Sequence, residues 1–197
     1  MNFKRNLLVA GLAVFFLSAG GAFGADKFDF DPNHTQIGFA VKHLVISTVR
    51  GKFNEFTGTI LYDPTDITKS SVTLLIRTSS INTGVEMRDN DLRSANFFDA
   101  ANYPEITFQS TRIEKKDAGY IAVGTLDMHG VSKEVAIPLT VSERIKDQRG
   151  KVRFGVEGTL TIDRRDWGLT WDKRLESGGL VAGNEVKIEL SVEAVKD

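Results

Sequence analysis

The sequence predicts an all-β protein and favours a closed antiparallel barrel of eight strands, with one inserted helix at about residues 84–96. Apolar and polar residues alternate with period two over most of the chain after residue 25, as strands with one dry face require. Short connections rich in turn residues separate these segments, which favours antiparallel pairing. A sandwich fits the same pattern, but the final strand, 186–194, is long and regular and would invite aggregation as an open edge.

The first residues are typical of a secretory signal peptide. Lys4 and Arg5 form a short basic start, and an apolar stretch follows at 7–17 that is too short to span a bilayer. Small residues at the end of the segment then suit cleavage after Gly24. We therefore expect residues 1–24 to be a signal peptide, residues 25–197 to form a single domain, and the mature protein to be periplasmic.

Composition excludes several classes of function. The formal net charge is −1, and it becomes −3 without residues 1–24, because that segment holds two basic residues and no acidic one. Such a mild charge gives no reason to expect a nucleic-acid partner. The chain has no cysteine, which excludes thiol catalysis and disulfides and is compatible with a bacterial periplasm.

The strands follow one another along the chain. Alternation is clearest over 36–42, 151–163 and 185–194. Weaker alternation predicts further strands over 49–62, 71–78, 106–113, 120–128 and 135–141. An interior of eight strands can be filled by side chains or can hold one small ligand. From the parity of the apolar positions we expect the lumen to be lined by Ile37, Phe39, Val41, Phe53, Leu74, Ile76, Ile106, Phe108, Leu126, Phe154, Leu160, Ile188 and Leu190.

Glycines recur within these predicted strands. Gly58, Gly124 and Gly158 each precede a threonine and an aliphatic residue. A glycine adds no side chain to the interior, which suggests extra space, but it also permits a strand to bend in a tight barrel. Both interpretations remain open from the sequence.

A charged segment at 83–100 interrupts the alternation and favours a helix. Thr83 and Glu86 have the spacing of a capping box, in which each side chain bonds the backbone N–H of the other residue. Asp89 and Arg93 are four residues apart with the acid first, which is the favourable order for an ion pair. We expect a framework helix, since a nearby arginine keeps a carboxylate ionised and does not raise its pKa.

A second unusual stretch, DRRDWGLTWD at 163–172, holds both tryptophans. One interpretation is a folded loop whose indoles close one end of the core. The other is an aromatic flap beside a cavity entrance. The candidates for selecting a ligand headgroup at such a mouth are Arg88, Arg93, Arg164, Arg165, Trp167 and Trp171.

The chain offers little for catalysis or for metal binding. Three histidines could ligate a zinc ion. However, His34 and His43 are nine residues apart, which places them on opposite faces of an unbroken strand, and His129 follows a predicted strand end. Phosphate loops and the serine-hydrolase elbow are absent from the sequence. We expect no catalytic residue, no metal site and no cofactor.

Seven segments of the sequence, taken together, are specific enough to indicate a protein family. They are HTQIGFAVKHL (34–44), VRGKFNEFTGTI (49–60), SSINTG (79–84), RDNDLRSANFFDAANYPEITFQST (88–111), GTLDMHGVSKEV (124–135), DRRDWGL (163–169) and GNEVKIELSVEA (183–194). They resemble the YceI-like family, bacterial periplasmic proteins with a lipocalin-like barrel that bind polyisoprenoid or similar long-chain lipids. The family usually has a histidine, in its pattern Arg-Asp-x-His-Leu-Arg, where this chain has Asn90 or Asp91, so a role for that histidine does not carry over. The resemblance implies a lipocalin-like barrel, a lipid-like ligand and no enzyme activity.

The first hypothesis is a periplasmic carrier that holds an isoprenoid or a fatty-acid-like chain in the lumen, as a monomer or homodimer that does not span the membrane. A non-catalytic stress protein with a filled core is an alternative, and a lipid-modifying enzyme is another. A transmembrane barrel is disfavoured because outward positions such as Lys187, Glu189 and Arg153 would face lipid.

Overall fold

The structure, a computed structural model, describes residues 24–196. The predicted signal peptide therefore lies outside the described residues, apart from Gly24. The described chain contains one α-helix, α1 (Glu86–Arg93), and short 3₁₀ turns at Ile67–Lys69, Thr78–Ser80 and Arg164–Trp167. The strands are β1 (Asp26–Phe30), β2 (Gln36–His43), β3 (Ser47–Phe53), β4 (Phe56–Tyr62), β5 (Ser71–Arg77), β6 (Ile81–Asn82), β7 (Glu105–Lys116), β8 (Gly119–Met128), β9 (Val131–Val141), β10 (Ile145–Lys146), β11 (Val152–Asp163) and β12 (Ala182–Lys196).

Eight of the strands close into an antiparallel ring. Its order is β11, β9, β8, β7, β5, β4, β1 and β12, and the pairing of β12 with β11 closes it. The predicted barrel is therefore confirmed. The long last strand is not an open edge, because one side of β12 pairs with β11 from Glu185 to Val195 and the other side pairs with β2 and then β1.

The predicted strand over 49–62 is two strands, β3 and β4, which are separated at Asn54 and Glu55. At this break the Asn54 N–H donates to the carbonyl of Ser80, and the carbonyl of Glu55 accepts from the N–H of Arg77. The chain breaks similarly between β1 and β2. As a result β1 pairs with β4 at one end of the barrel and β2 pairs with β3 at the other.

The two ends of the barrel differ. The hairpin end holds the β2–β3 turn, the β8–β9 turn, α1 and the connection 164–181. The opposite end is closed by three aromatic rings. Phe28, which has no exposed surface, lies 4.8 Å from the ring of Phe154, and Tyr62 lies 5.2 Å from that ring. Packed rings of this kind exclude water from the closed end.

An ionic cluster on the outside ties three segments together near the closed end. The Arg153 guanidinium of β11 donates to Asp31 after β1, to Asp147 after β10 and to Glu193 of β12, at 2.7, 2.8 and 2.6 Å. The Arg153 hydrogen bond holds the pKa of Asp31 at about 2. The cluster therefore stabilises the place where β12 changes partner from β2 to β1.

Candidate binding cavity

A cavity of about 390 Å³ lies inside the barrel. This size falls in the range of small-molecule binding sites. All thirteen residues that parity assigns to the lumen line it, from Ile37 on β2 to Leu190 on β12. The agreement follows from the register, since Ile37 pairs with Leu190 and Phe39 with Ile188, which places apolar pairs side by side on the inner face. That these residues contact a ligand stays a prediction.

The glycines of the predicted strands do not create the space. A Cβ built on Gly58 would lie 2.5 Å from the ring of Phe30, and one on Gly158 would lie 2.7 Å from the side chain of Leu139. A Cβ on Gly124 would lie 2.3 Å from the backbone oxygen of Gln109. Neighbouring atoms already occupy the space that a side chain at each glycine would need, so the glycines permit close packing between strands. The interpretation that they leave extra space in the cavity is therefore wrong.

The ionisable and most of the polar lining residues are concentrated at the hairpin end, whereas Ser70 and Ser71 line the cavity near the other end. Those at the hairpin end are Lys42, His43, Thr83, Arg88, Asp91 and Arg164. Among the described lining residues, those with exposed side chains are Lys42 and Asp91, and both belong to this group. The cavity therefore reaches the surface at the hairpin end, and we call this opening the mouth. The body of the cavity is apolar, and its far end stops at the packed rings.

Helix α1 forms one wall of the mouth, through Arg88, Asp91 and Leu92. It spans Glu86–Arg93, which is shorter than the expected 84–96. The capping-box prediction is wrong, because Val85 occupies the N-cap and has no side-chain hydrogen bond there. The side chain of Thr83 faces the cavity and is used for another contact.

Asp89 is the buried anchor of this segment, with 5% of its surface exposed. Its carboxylate accepts from the backbone N–H of Thr83 at 2.9 Å and from the Thr83 hydroxyl, which also accepts from Nε of Arg88 at 2.7 Å. In residues 24–196 the expected pair with Arg93 is not formed. Arg93 instead donates to the carbonyls of Ser79 and Ile81, because β6 passes closer to it. The helix is thus a framework element that also borders the cavity.

The six predicted mouth residues separate into two groups. Arg88, Arg164 and Trp171 line the cavity, whereas Arg93, Arg165 and Trp167 do not. Arg93 is bound to the β5–β6 connection, as described above. Arg165 is exposed and points to Asp163, with which it forms a hydrogen-bonded ion pair. Trp167 is buried and donates from Nε1 to the carbonyl of Leu126 at 3.2 Å.

The stretch 163–172 was interpreted either as a loop that closes the core or as an aromatic flap at a cavity entrance. The first interpretation describes Trp167, and the second describes Trp171. Trp167 closes the core next to the β8–β9 turn, where its carbonyl lies 3.1 Å from Nδ1 of His129. Trp171 borders the mouth, and its ring centroid is 5.1 Å from that of Phe97. Phe97 links the two sides of the mouth, since it follows α1 while Trp171 follows β11.

Arg164 fixes the connection beside the mouth. It is 5% exposed, and its guanidinium donates to the carbonyls of Leu169, Trp171 and Gly183 and to the side chain of Asn184. Burial lowers the pKa of this guanidinium. The donors of Arg164 are thus used mainly within the protein, so its contribution to the mouth is structural.

Sequence reasoning missed several lining residues at the mouth, among them Lys42, His43, Asp91, Leu92 and Phe97. The adjacent Phe97 and Phe98 were the available signal, because an apolar pair after a polar helix needs somewhere to pack. Phe98 packs against Phe53 with ring centroids 6.1 Å apart.

The histidines do not come together. His43 borders the mouth, His129 contacts Trp167 and Tyr103, and His34 lies 3.1 Å from Asp31. Within the described residues, one group has the geometry to hold a cation, formed by Asp31, His34 and Glu193. The Arg153 guanidinium already supplies the positive charge between the carboxylates of Asp31 and Glu193.

Among residues 24–196, no helix is long and apolar enough to cross a membrane.

Comparison with known proteins gives consistent results. A family model described as "YceI-like domain" matches residues 28–194. A UPF0312 protein of Yersinia pestis is 34% identical over 194 residues, which cover 98% of each chain. The crystal structure of a Campylobacter jejuni YceI protein is 29% identical, with a TM-score of 0.68 over 79% of this chain and 90% of that chain. A polyisoprenoid binding domain from Saccharophagus degradans shares the fold, with 18% identity and a TM-score of 0.60 over 88% of this chain and 99% of that one.

Proposed function

The chain belongs to the YceI-like family, and from that premise we propose that it is a binding protein that holds an isoprenoid or another long-chain apolar molecule in the barrel cavity. The observation that carries the proposal is the cavity itself. It is apolar along its length, closed at one end by Phe28, Tyr62 and Phe154, and open at a polar mouth. A chain with a polar end matches this distribution.

The energetics favour a long chain. Each CH₂ that moves from water into an apolar interior contributes about 0.8 kcal/mol. About ten buried carbons could therefore support tight binding after the costs of association are included. Affinity should rise with chain length and respond weakly to the headgroup, because the body of the cavity offers few polar groups that could select one.

The open cavity weighs against the alternative of a stress protein with a filled core. Catalysis has little support for a different reason. A carboxyl that acts as a general acid near neutral pH needs a raised pKa. The shifted carboxyl pKa values in residues 24–196 are all lowered, those of Asp31 and Asp163 to about 2 by hydrogen bonds from Arg153 and Arg165. We therefore propose a carrier or scavenger and no enzyme.

The proposal also includes the cellular compartment in which the protein acts, which is the periplasm. The segment 1–24 supports export, and a periplasmic carrier would receive its ligand from a membrane. Expression of the full chain in a bacterium, followed by fractionation and mass measurement of the mature protein, tests both points. We expect a periplasmic protein that begins at residue 25; a cytoplasmic protein with an intact first residue would contradict this part.

Native mass spectrometry of that purified protein, followed by organic extraction, tests the binding function. We expect one bound long-chain apolar molecule per barrel. A binding series should then compare prenyl and acyl chains of matched length with varied headgroups. Affinity that follows the headgroup and ignores chain length would place binding outside the cavity and contradict the proposal.

A further inference from the structure

The tip of the β2–β3 hairpin exposes two large aliphatic side chains. Val45 is 67% exposed and Ile46 is 82% exposed. Isolated apolar residues on a surface need no explanation. These two, however, are adjacent in sequence and occupy the most protruding part of a turn, so they form a small apolar prominence.

The conformation of the turn makes the choice of residues unusual. Leu44 and Val45 have φ angles of 53° and 67°, in the left-handed region, and the Ile46 N–H donates to the carbonyl of His43. Glycine and asparagine normally occupy such positions, and a β-branched residue there is a conformational outlier. Turn formation therefore does not explain why aliphatic residues stand at this tip.

The hairpin below the tip is basic. Residues 32–54 contain Lys42, Arg50 and Lys52 and no acidic residue. All three lysine and arginine side chains are exposed. The pKa of Glu189 on the neighbouring strand β12 is lowered mainly by the hydrogen bond from Lys187, which lies 2.8 Å from that carboxylate, and only to a small extent by the charge of Arg50. The hairpin thus presents an excess of positive charge.

The tip adjoins the mouth of the cavity. The Leu44 N–H donates to the carbonyl of Val181 at 2.9 Å, and Val181 lines the cavity. A methyl group of Val45 faces Gly179 in the same connection. A surface that accepts the tip would therefore lie next to the opening.

We propose that the β2–β3 hairpin docks the barrel on an anionic phospholipid surface, with Val45 and Ile46 inserted among the acyl chains and Lys42 and Arg50 at the phosphates. Apolar groups that enter a bilayer interface reach a depth of about 5–10 Å. Arg50 is three residues from Ser47, where β3 begins, so it lies roughly 10 Å along the strand from the turn, and Lys42 lies nearer the tip, one residue from the end of β2. The basic groups therefore stand at the level of the lipid phosphates when the tip is inserted.

The docking does not depend on what the cavity holds, so it can fail independently of the proposed binding function. It does give that function a route, because a water-insoluble chain could pass between the bilayer and the mouth without crossing bulk water.

Flotation of the mature protein with vesicles tests the proposal. One set is phosphatidylcholine alone, and the other is an equimolar mixture of phosphatidylcholine and phosphatidylglycerol. We expect binding to the anionic vesicles that weakens with salt. Val45→Gly combined with Ile46→Ser should weaken it about tenfold or more, because the inserted hydrocarbon is lost. The glycine suits the left-handed φ of residue 45, so the fold should be retained.

Two further variants separate the contributions. Arg50→Gln should weaken binding to anionic vesicles about fivefold and leave binding to neutral vesicles unchanged. Ile145→Ser is the matched control, because Ile145 is 61% exposed but lies at the opposite end of the barrel, and it should have no effect. Loading with a fluorescent fatty acid in vesicle-free buffer should be the same for all variants.

Three outcomes would overturn the proposal. These are no binding of the wild type to anionic vesicles at low salt, an equal loss for the Ile145→Ser control, and a tip variant that changes only self-association in light scattering. The last result would assign the tip to a contact between two copies of the chain. Loss of fatty-acid loading with intact vesicle binding would instead contradict the proposed binding function alone.

Discussion

The hydroxyl of Thr83 donates a hydrogen bond to the buried carboxylate of Asp89, and the backbone N–H of Thr83 donates to the same oxygen at 2.9 Å. Two donors from one residue thus hold the segment before α1 against the first turn of the helix. Because Thr83 and Arg88 line the cavity, this small network also fixes one wall of the mouth.

Replacement of Asp89 should affect stability more than ligand affinity. Asp89→Ala leaves the backbone N–H and the hydroxyl of Thr83 without their acceptor, and we expect a loss of about 1.5–3 kcal/mol in the free energy of unfolding. Urea denaturation measures the loss, and Glu86→Ala, an exposed acid of the same helix, is the control. An unchanged denaturation midpoint together with lost lipid binding would mean that the residue serves the site directly.

Reduction of the cavity should select against long chains. Val41→Phe adds volume on the lumen side of β2, where free space exists, so we expect stability within about 1 kcal/mol of the wild type. The affinity for a long prenyl chain should fall tenfold or more, by roughly 0.8 kcal/mol for each methylene excluded. Calorimetric titration with chains of increasing length measures this. Ala136→Phe, on the outer face of β9, should change neither quantity.

The two tryptophans should respond in opposite ways to truncation. Trp167→Ala removes an indole that is 3% exposed and hydrogen-bonded to Leu126, and it should cost about 3–5 kcal/mol of stability. Trp171→Ala should cost much less, but it should widen the mouth by removing the ring stacked on Phe97, so the bound chain should dissociate faster. Thermal melts and stopped-flow displacement of a fluorescent fatty acid distinguish the two. Equal effects of both substitutions on both measurements would contradict the division of roles.

Acid should weaken the ionic cluster around Arg153. The pKa of Asp31 is lowered from 3.8 to about 2 in the folded protein, so its contribution is complete above about pH 4 and is lost as the pH falls toward 2. Asp31→Asn should therefore cost about 1–2 kcal/mol at pH 7 and very little at pH 2. Unfolding curves at several pH values measure the difference, with Glu176→Gln in an exposed loop as control. A cost that does not depend on pH would show that the carboxylate charge is unimportant.

The barrel and the lining of its interior could be predicted because both follow from period-two alternation. A strand with one dry face fixes the direction of every side chain once its register is set, so Phe39, Phe154 and Leu190 were assigned correctly from parity. The break at Asn54 and Glu55 was not predictable, since nothing in the local pattern marks the hydrogen bonds that these residues make to Arg77 and Ser80.

The mouth was predicted less well because it depends on contacts distant in sequence. Of the six residues predicted at the mouth, Arg88, Arg164 and Trp171 line the cavity, and their selection of a headgroup stays a prediction. Residue type could not show that Arg93 would bind the carbonyls of β6, or that Asp89 would be held by Thr83 and not by Arg93. The expected capping box and the expected Asp89–Arg93 ion pair did not form, because β6 and Thr83, which follows it, supply other hydrogen-bond partners to these side chains.

The shared strand β12 has a consequence for how the chain acquires its structure. It is the last strand in sequence, yet it pairs with β1, β2 and β11, so the ring joins residues from both ends of the domain. The barrel therefore cannot close before residues 182–196 have been synthesised, and folding should be slow, on the order of milliseconds to seconds, as in other folds dominated by distant contacts. A truncation before residue 182 would keep the ring open and would leave β1, β2 and β11 each with an unpaired edge.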